Sequence, residues 1–406
     1  MHLDRRNWMA IVGAGAVGTV AAQAVRAEQP GRETCPPAKG DLLLKDFRPK
    51  SMLHVKETRV ATPRFPVVDV HVHFSFTAGG RKGVATGEET SFTTTAKDAL
   101  AVMDRKGVRA VMNLTGGSGK GLERVLDGFV RAHPGRFHTC TEPIYGQWMD
   151  PRYPQLQADA IEKAAAAGAE GLKILKTLGL YLRERIDEGP LVKVDDRRFD
   201  PMWEACAAHR LPVYMHVADP EAFFLPIDCT NERYDELGHH PNWSFYGSDF
   251  PSFREIMEAR DRVLARHPKT LFVGLHVGHD AENLPFVSES LDRFPNLTVE
   301  LGARIGELGR QPRASRKFFE AYQDRIFFGT DAVPPPEGEK TPQQVFKDEL
   351  YEIYYRFLET DDEYFDYAPA PVPPQGRWQI YGIALPDGIL KKVYHENAER
   401  LLGLKS

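Results

Sequence analysis

Two histidines one residue apart, His71 and His73 in the run Asp69-Val70-His71-Val72-His73, carry the most chemistry in this chain. The apolar lead-in Phe65-Pro66-Val67-Val68 reads as the start of a short buried strand. Side chains alternate across a strand, so positions two apart share a face. His71 and His73 therefore project together from the strand end, with Asp69 beneath them. Two imidazoles on rigid backbone make half of a metal site. Other apolar runs end in residues that could supply the rest: Asn113, Glu142, Lys173 followed by Lys176, His216, His276 followed by His279, Glu300 followed by Arg304, and Asp331. A lone histidine beside an apolar run is usually a hydrogen-bonded core residue. Metal-competent side chains at the tips of the first, fifth, sixth and eighth runs alike point to one shared site.

The elements that would position these residues alternate strand and helix. Strands are expected at Val67–Val72, Val108–Leu114, Arg136–Thr141, Gly171–Leu175, Pro212–Val217, Leu271–His276, Leu297–Leu301 and Ile326–Gly329. Helical patterns lie between them at Thr93–Lys106, Gly121–His133, Leu156–Ala167, Pro201–His209, Phe253–His267, Leu284–Phe294 and Arg313–Tyr322. Gly107 and Gly168 follow helices as C-terminal caps do. Eight short apolar strands, each followed by a helix, imply a parallel sheet buried on both faces. The economical closure is an α/β (β/α)8 TIM barrel, with an open doubly wound sheet as the alternative. Two long insertions follow strands five and eight: an aromatic-rich one from Asp219 to about Ser252, and an acidic, helical one from Val333 to about Asp366. In a barrel both sit over the catalytic mouth. The aromatic insertion reads equally as a lid or as an oligomer contact. Tyr367–Gln375 is a Pro-rich connector.

Composition narrows the function classes. The chain has 406 residues and a formal net charge of −5, so no basic footprint suggests nucleic acid. The four cysteines are scattered, with no CxxC pair, and read as isolated buried thiols, a disulfide at Cys35 being left open. Gly13-Ala14-Gly15-Ala16-Val17-Gly18 matches a dinucleotide fingerprint, but the acidic strand end expected roughly 20 residues on is missing. Arg5-Arg6 before a Gly/Ala-rich apolar stretch, ending in small residues at Ala24 and Ala27, resembles a twin-arginine export signal instead. The chain thus divides into an export signal at 1–27, a connector at 28–62 and a barrel domain at 63–406. This predicts a bacterial, exported, periplasmic protein with no membrane span once the signal is removed.

The barrel portion resembles the amidohydrolase superfamily, in its amidohydrolase-2 branch. The resemblance covers about Val67 to Leu404. Its carriers are Asp69–His73, Gly171-Leu172-Lys173, Tyr214-Met215-His216, Gly274–Gly278, Phe328-Gly329-Thr330-Asp331 and the closing Glu396–Gly403. It implies one divalent metal, zinc or manganese, held by His71, His73, His216 and Asp331. Asp331 would take a proton from metal-bound water, and His276 would orient or polarise the substrate. In binuclear relatives the strand-four lysine is carboxylated and bridges two metals; here Lys173 is expected to serve a single-metal site as a cation that binds substrate or stands behind the metal ligands. His279 would assist His276, and Arg304 or Arg310 would clamp a substrate carboxylate. The implied activity is hydrolysis of an amide, ester or lactone in a small molecule. The alternative is a lyase that decarboxylates or hydrates an aromatic-derived acid. A homodimer would be ordinary for such a barrel.

Overall fold

The structure, a computed structural model, describes residues 43–44, 47, 49–334, 344–370 and 374–404. The expected signal at 1–27 and the first part of the connector lie outside the described residues.

All eight expected barrel strands form, in the expected order: Val67–Val72, Val108–Asn113, Phe137–Thr139, Leu172–Ile174, Val213–Met215, Phe272–Gly274, Leu297–Glu300 and Ile326–Phe327. Every neighbouring pair runs parallel, with registers such as Val68↔Ala110, Lys173↔Tyr214 and Phe272↔Leu297. Two arcs of three and five strands are joined by the bridges Thr141↔Leu172 and Val72↔Ala332. His73 N donates to Ala332 O at 2.8 Å, so strand one seals against the end of strand eight and the barrel closes. Val68, Val70, Ala110, Met112, Tyr214, Val273 and Phe327 come from five strands yet pack in one cluster, as in a filled barrel interior.

The helices sit where the apolar periodicity put them. Phe253–Arg266 begins with a complete capping box, Ser252 and Glu255 each bonding the other's backbone N–H. Tyr153–Ala167 stops at Gly168, whose φ of +115° suits a residue without Cβ. One insertion escapes the sequence pattern. After strand one, Ser75–Thr77 pairs antiparallel with Thr90–Phe92, and Gly80–Arg81 with Val84–Ala85. Strands of two or three residues joined by glycine-rich turns leave no alternation to read.

The first long insertion folds over the mouth; the second does so only through Val333 and Gln344, which line the cavity, while its helix packs on the outer wall of the barrel, where Tyr355 bonds Lys106 O. In the first, Phe223 and Trp243 line the central cavity, while Phe224, Phe245 and Phe250 pack on one another. The second carries the helix Asp348–Glu359, whose buried Tyr351, Tyr354 and Tyr355 surround Phe328 at the end of strand eight. The cysteines depart from the expectation of isolated thiols. Cys140 and Cys206 are buried and free, but Cys229, in the first insertion, is disulfide-bonded. Among the described residues no helix is long and apolar enough to cross a membrane.

Candidate metal centre

Strand one delivers His71 and His73 to the mouth of the barrel, and the end of strand eight delivers Asp331. The three meet on one atom: His71 Nε2 and His73 Nε2 each lie 3.0 Å from Asp331 Oδ1 and 3.2 Å from one another. Asp331 holds this position in left-handed backbone, with φ of +60°. Its amide donates to His71 O at 2.8 Å, which ties the two strand ends together.

The outer nitrogens fix the rings. His71 Nδ1 lies 3.1 Å from Glu300 Oε1, and His73 Nδ1 lies 3.0 Å from Thr115 Oγ1. The contact lies off the line of a hydrogen bond, but a carboxylate only accepts, so the proton of a neutral His71 is assigned to Nδ1. Its Nε2 then carries a lone pair aimed at a carboxylate oxygen. Such a contact is repulsive until a proton or a cation enters it. Burial pulls the pKa of His71 down, but Glu300 and Asp331 outweigh it and raise it. Burial would likewise lift the pKa of Asp331, yet His71 and His73 hold it well below the usual carboxylate range. Burial keeps His73 neutral, its pKa lowered to about 4. The donor set fits a divalent cation: imidazole nitrogens and one carboxylate, each braced from behind.

His276 approaches from strand six. Its Nδ1–H donates to Gly302 O at 2.7 Å, a carbonyl that can only accept, so Nε2 is again a lone pair. That Nε2 is buried without a partner. Donor atoms of His71, His276 and Asp331 all lie within 4.8 Å of one another, the one such cluster among the described residues. His216, from strand five, stands beside them with its ring 4.3 Å from that of His276. Its Nε2 is turned to Asp219 Oδ1 at 3.2 Å, and Asp219 also pairs with Lys176. Burial pushes the pKa of both His216 and His276 well below the ordinary histidine value.

A cavity of about 110 Å³ opens onto this cluster. Its lining includes His73, His216, His276 and Asp331, the cations Lys176, Arg233 and Arg304, and the rings of Tyr181, Phe223 and Trp243. Arg304 is held through one donor to Ala303 O at 2.8 Å, while its Nε has no partner.

Four expected residues are placed elsewhere. Lys173 is fully buried with an unpartnered Nζ and does not line the cavity; burial lowers its pKa to about 8 despite Asp331 and Glu300 nearby. His279 turns away from the cavity, its Nε2 accepting from Val217 N at 3.1 Å. Arg310 makes a two-pronged pair with Glu232 at 2.9 and 3.0 Å and stacks over Trp378. Asp69, read as lying beneath the two histidines, instead accepts from His71 N, Thr330 N, Thr330 Oγ1 and Tyr351 OH, and so locks strand one to strand eight. Thr115 and Asp219 were missed because each acts through a partner distant in sequence or hidden in an insertion.

No curated protein matches the chain. Among solved structures it is similar to a 2,6-dihydroxybenzoate decarboxylase complexed with 2,6-dihydroxybenzoate, at 16% identity over 84% of this chain and 100% of that one, with a TM-score of 0.52. It is also similar to a dihydroxybenzoic acid decarboxylase from Polaromonas with bound manganese and 2-nitroresorcinol, at 14% identity over 76% of this chain and 85% of that one, with a TM-score of 0.47. A third is a probable 2-pyrone-4,6-dicarboxylic acid hydrolase from Acinetobacter baumannii with citric acid bound, at 10% identity over 84% of this chain and 100% of that one, with a TM-score of 0.46. The family model described as amidohydrolase (Amidohydro_2) matches residues 68–404, the whole barrel with every residue of the cluster, and the chain belongs to that family.

Proposed function

We propose that this protein is a metal-dependent hydrolase that cleaves an amide, ester or lactone bond in a small substrate bearing a carboxylate. The observation that carries the reading is the convergence of His71 Nε2, His73 Nε2 and Asp331 Oδ1 at 3.0–3.2 Å, three metal-competent atoms gathered at one point. His71, His73 and Asp331 would hold one divalent cation, zinc or manganese, with His216 swinging in from Asp219. A cation bound there supplies Lewis acidity and lowers the pKa of water. The chain's own groups do the rest. Asp331 Oδ1 is engaged by the two histidines, which leaves Oδ2 to take a proton from water. His276 is locked through Nδ1 and presents a neutral Nε2 to the substrate, where it accepts a hydrogen bond or a proton. Arg304 binds the carboxylate with its free donors. Phe223 and Trp243 close the cavity and limit the substrate to a compact molecule.

The cationic and aromatic lining also suits the second reading, a lyase that decarboxylates or hydrates an aromatic acid. Metal-loaded protein assayed on lactones, amides and aromatic carboxylates separates the two. Acid release with incorporation of ¹⁸O from water supports hydrolysis, and carbon dioxide release without it supports the lyase. His216→Ala should weaken metal binding, whereas His276→Ala should keep the metal and lose turnover. The reverse result would exchange their roles. The disulfide at Cys229 supports an exported, periplasmic protein, since such bonds persist in oxidising compartments. Signal cleavage near Ala27, read by N-terminal sequencing of the secreted protein, tests that part.

A further inference from the structure

Glu300, at the tip of strand seven, is fully buried and is not itself part of the cavity lining, yet strand one and two loops of the site converge on it. Its Oε1 lies 3.1 Å from His71 Nδ1 and accepts from His276 N at 2.6 Å. Its Oε2 accepts from Gly302 N at 2.5 Å. Gly302 in turn offers its carbonyl to His276 Nδ1 at 2.7 Å. One carboxylate therefore faces the ring of His71 by a charge contact off the line of a hydrogen bond, and sets the ring of His276 through both its backbone and Gly302.

The surroundings are cut to fit this carboxylate. A Cβ on Gly302 would stand 2.7 Å from Glu300 Oε2, and one on Gly329 would collide with the same oxygen. Neither glycine has a positive φ, so neither is there for backbone freedom. The segment it braces is strained: His276 and the β-branched Val277 both sit in left-handed backbone, with φ of +56° and +57°. Lost strand hydrogen bonding at His276 N is replaced by the bond to Glu300.

We infer that Glu300 is the positioning residue of the metal centre, coupling a ligand on strand one, His71, to the substrate-facing His276 on strand six. Its charge favours the Nδ1–H tautomer of His71, so that Nε2 is free for the cation, and it holds His276 in the backbone conformation that points Nε2 inward. The inference rests on the proposed metal site and deepens it.

The test uses the full-length protein stripped with chelator and titrated with Mn²⁺ or Zn²⁺ against a competing chromophoric chelator. Glu300→Gln keeps the shape but places an amide group that cannot serve all three partners. Its metal affinity should fall roughly 10- to 100-fold, the range for loss of a carboxylate behind a metal-bound histidine. Glu300→Asp keeps the charge but draws it back by one methylene, and should lose affinity too. Circular dichroism confirms the fold, and ring ¹⁵N shifts of labelled histidine should show the Nδ1–H tautomer of His71 lost in either variant. Wild-type protein that binds metal, beside folded variants of unchanged affinity and unchanged tautomer, overturns the role of Glu300 and leaves the proposed function standing. Wild-type protein that binds no metal overturns the proposed function itself.

Discussion

His279 offers a prediction whose size follows from its surroundings. It sits at φ of +77°, buried, with Nε2 accepting the amide proton of Val217 and Nδ1 without a partner. Burial, helped by Arg260, depresses its pKa to about 3 from the usual 6.5. The unfolded chain takes up a proton near pH 6.5 while the folded chain refuses it until about pH 3. Stability from this residue is therefore complete above pH 6.5 and is lost as the pH falls toward 3. The slope is about 1.4 kcal/mol per pH unit for one proton. Between pH 7.5 and 4.5 it sums to about 3 kcal/mol. His279→Gln removes the titration and keeps an acceptor that reaches toward Val217. Urea unfolding of chelator-stripped wild type and variant, followed by tryptophan fluorescence at both pH values, isolates the effect, because every other titrating group is common to both. The variant should gain about 3 kcal/mol on the wild type as the pH drops. A gap that stays within about 0.5 kcal/mol at the two pH values would refute the burial argument.

Three further outcomes follow from named contacts. Asp331→Asn removes the charge on which both imidazoles converge; metal affinity should drop, and turnover by about 100-fold or more in a steady-state assay. Arg304→Met should raise KM roughly 10- to 100-fold for a substrate bearing a carboxylate, with kcat and melting temperature little changed; an unmoved KM would place the anion elsewhere. Arg233 is fully buried between Glu236 and Glu307, so Arg233→Met strands two carboxylates and should destabilise the fold by about 3–5 kcal/mol, read as a lowered unfolding midpoint.

Much of this was legible in the sequence, because barrel strands are short apolar runs with a functional residue at the tip. His71, His73, His276 and Asp331 could be picked out singly and then brought together by topology alone. What topology could not supply was direction. His279 follows His276 by three residues but turns through left-handed backbone away from the cavity. Lys173 stands at a strand tip yet stays buried beside the cluster rather than in the cavity lining. Asp69 shares the histidine motif but spends three of its four hydrogen bonds on Thr330 and Tyr351, which no local pattern reveals. The insertion after strand one was invisible because its strands are two or three residues long.

Closure of the first strand upon the last has a consequence for biosynthesis. Asp69 and His73 wait for Thr330 and Asp331, partners some 260 positions downstream (separations of 261 and 258). A chain emerging from the ribosome cannot complete the cation's cage until nearly the whole barrel has been made. Metal would then be acquired only after synthesis is all but finished. Shortened products ending before residue 331 would carry the paired imidazoles without the acid that completes them, and should leave cellular metal pools untouched.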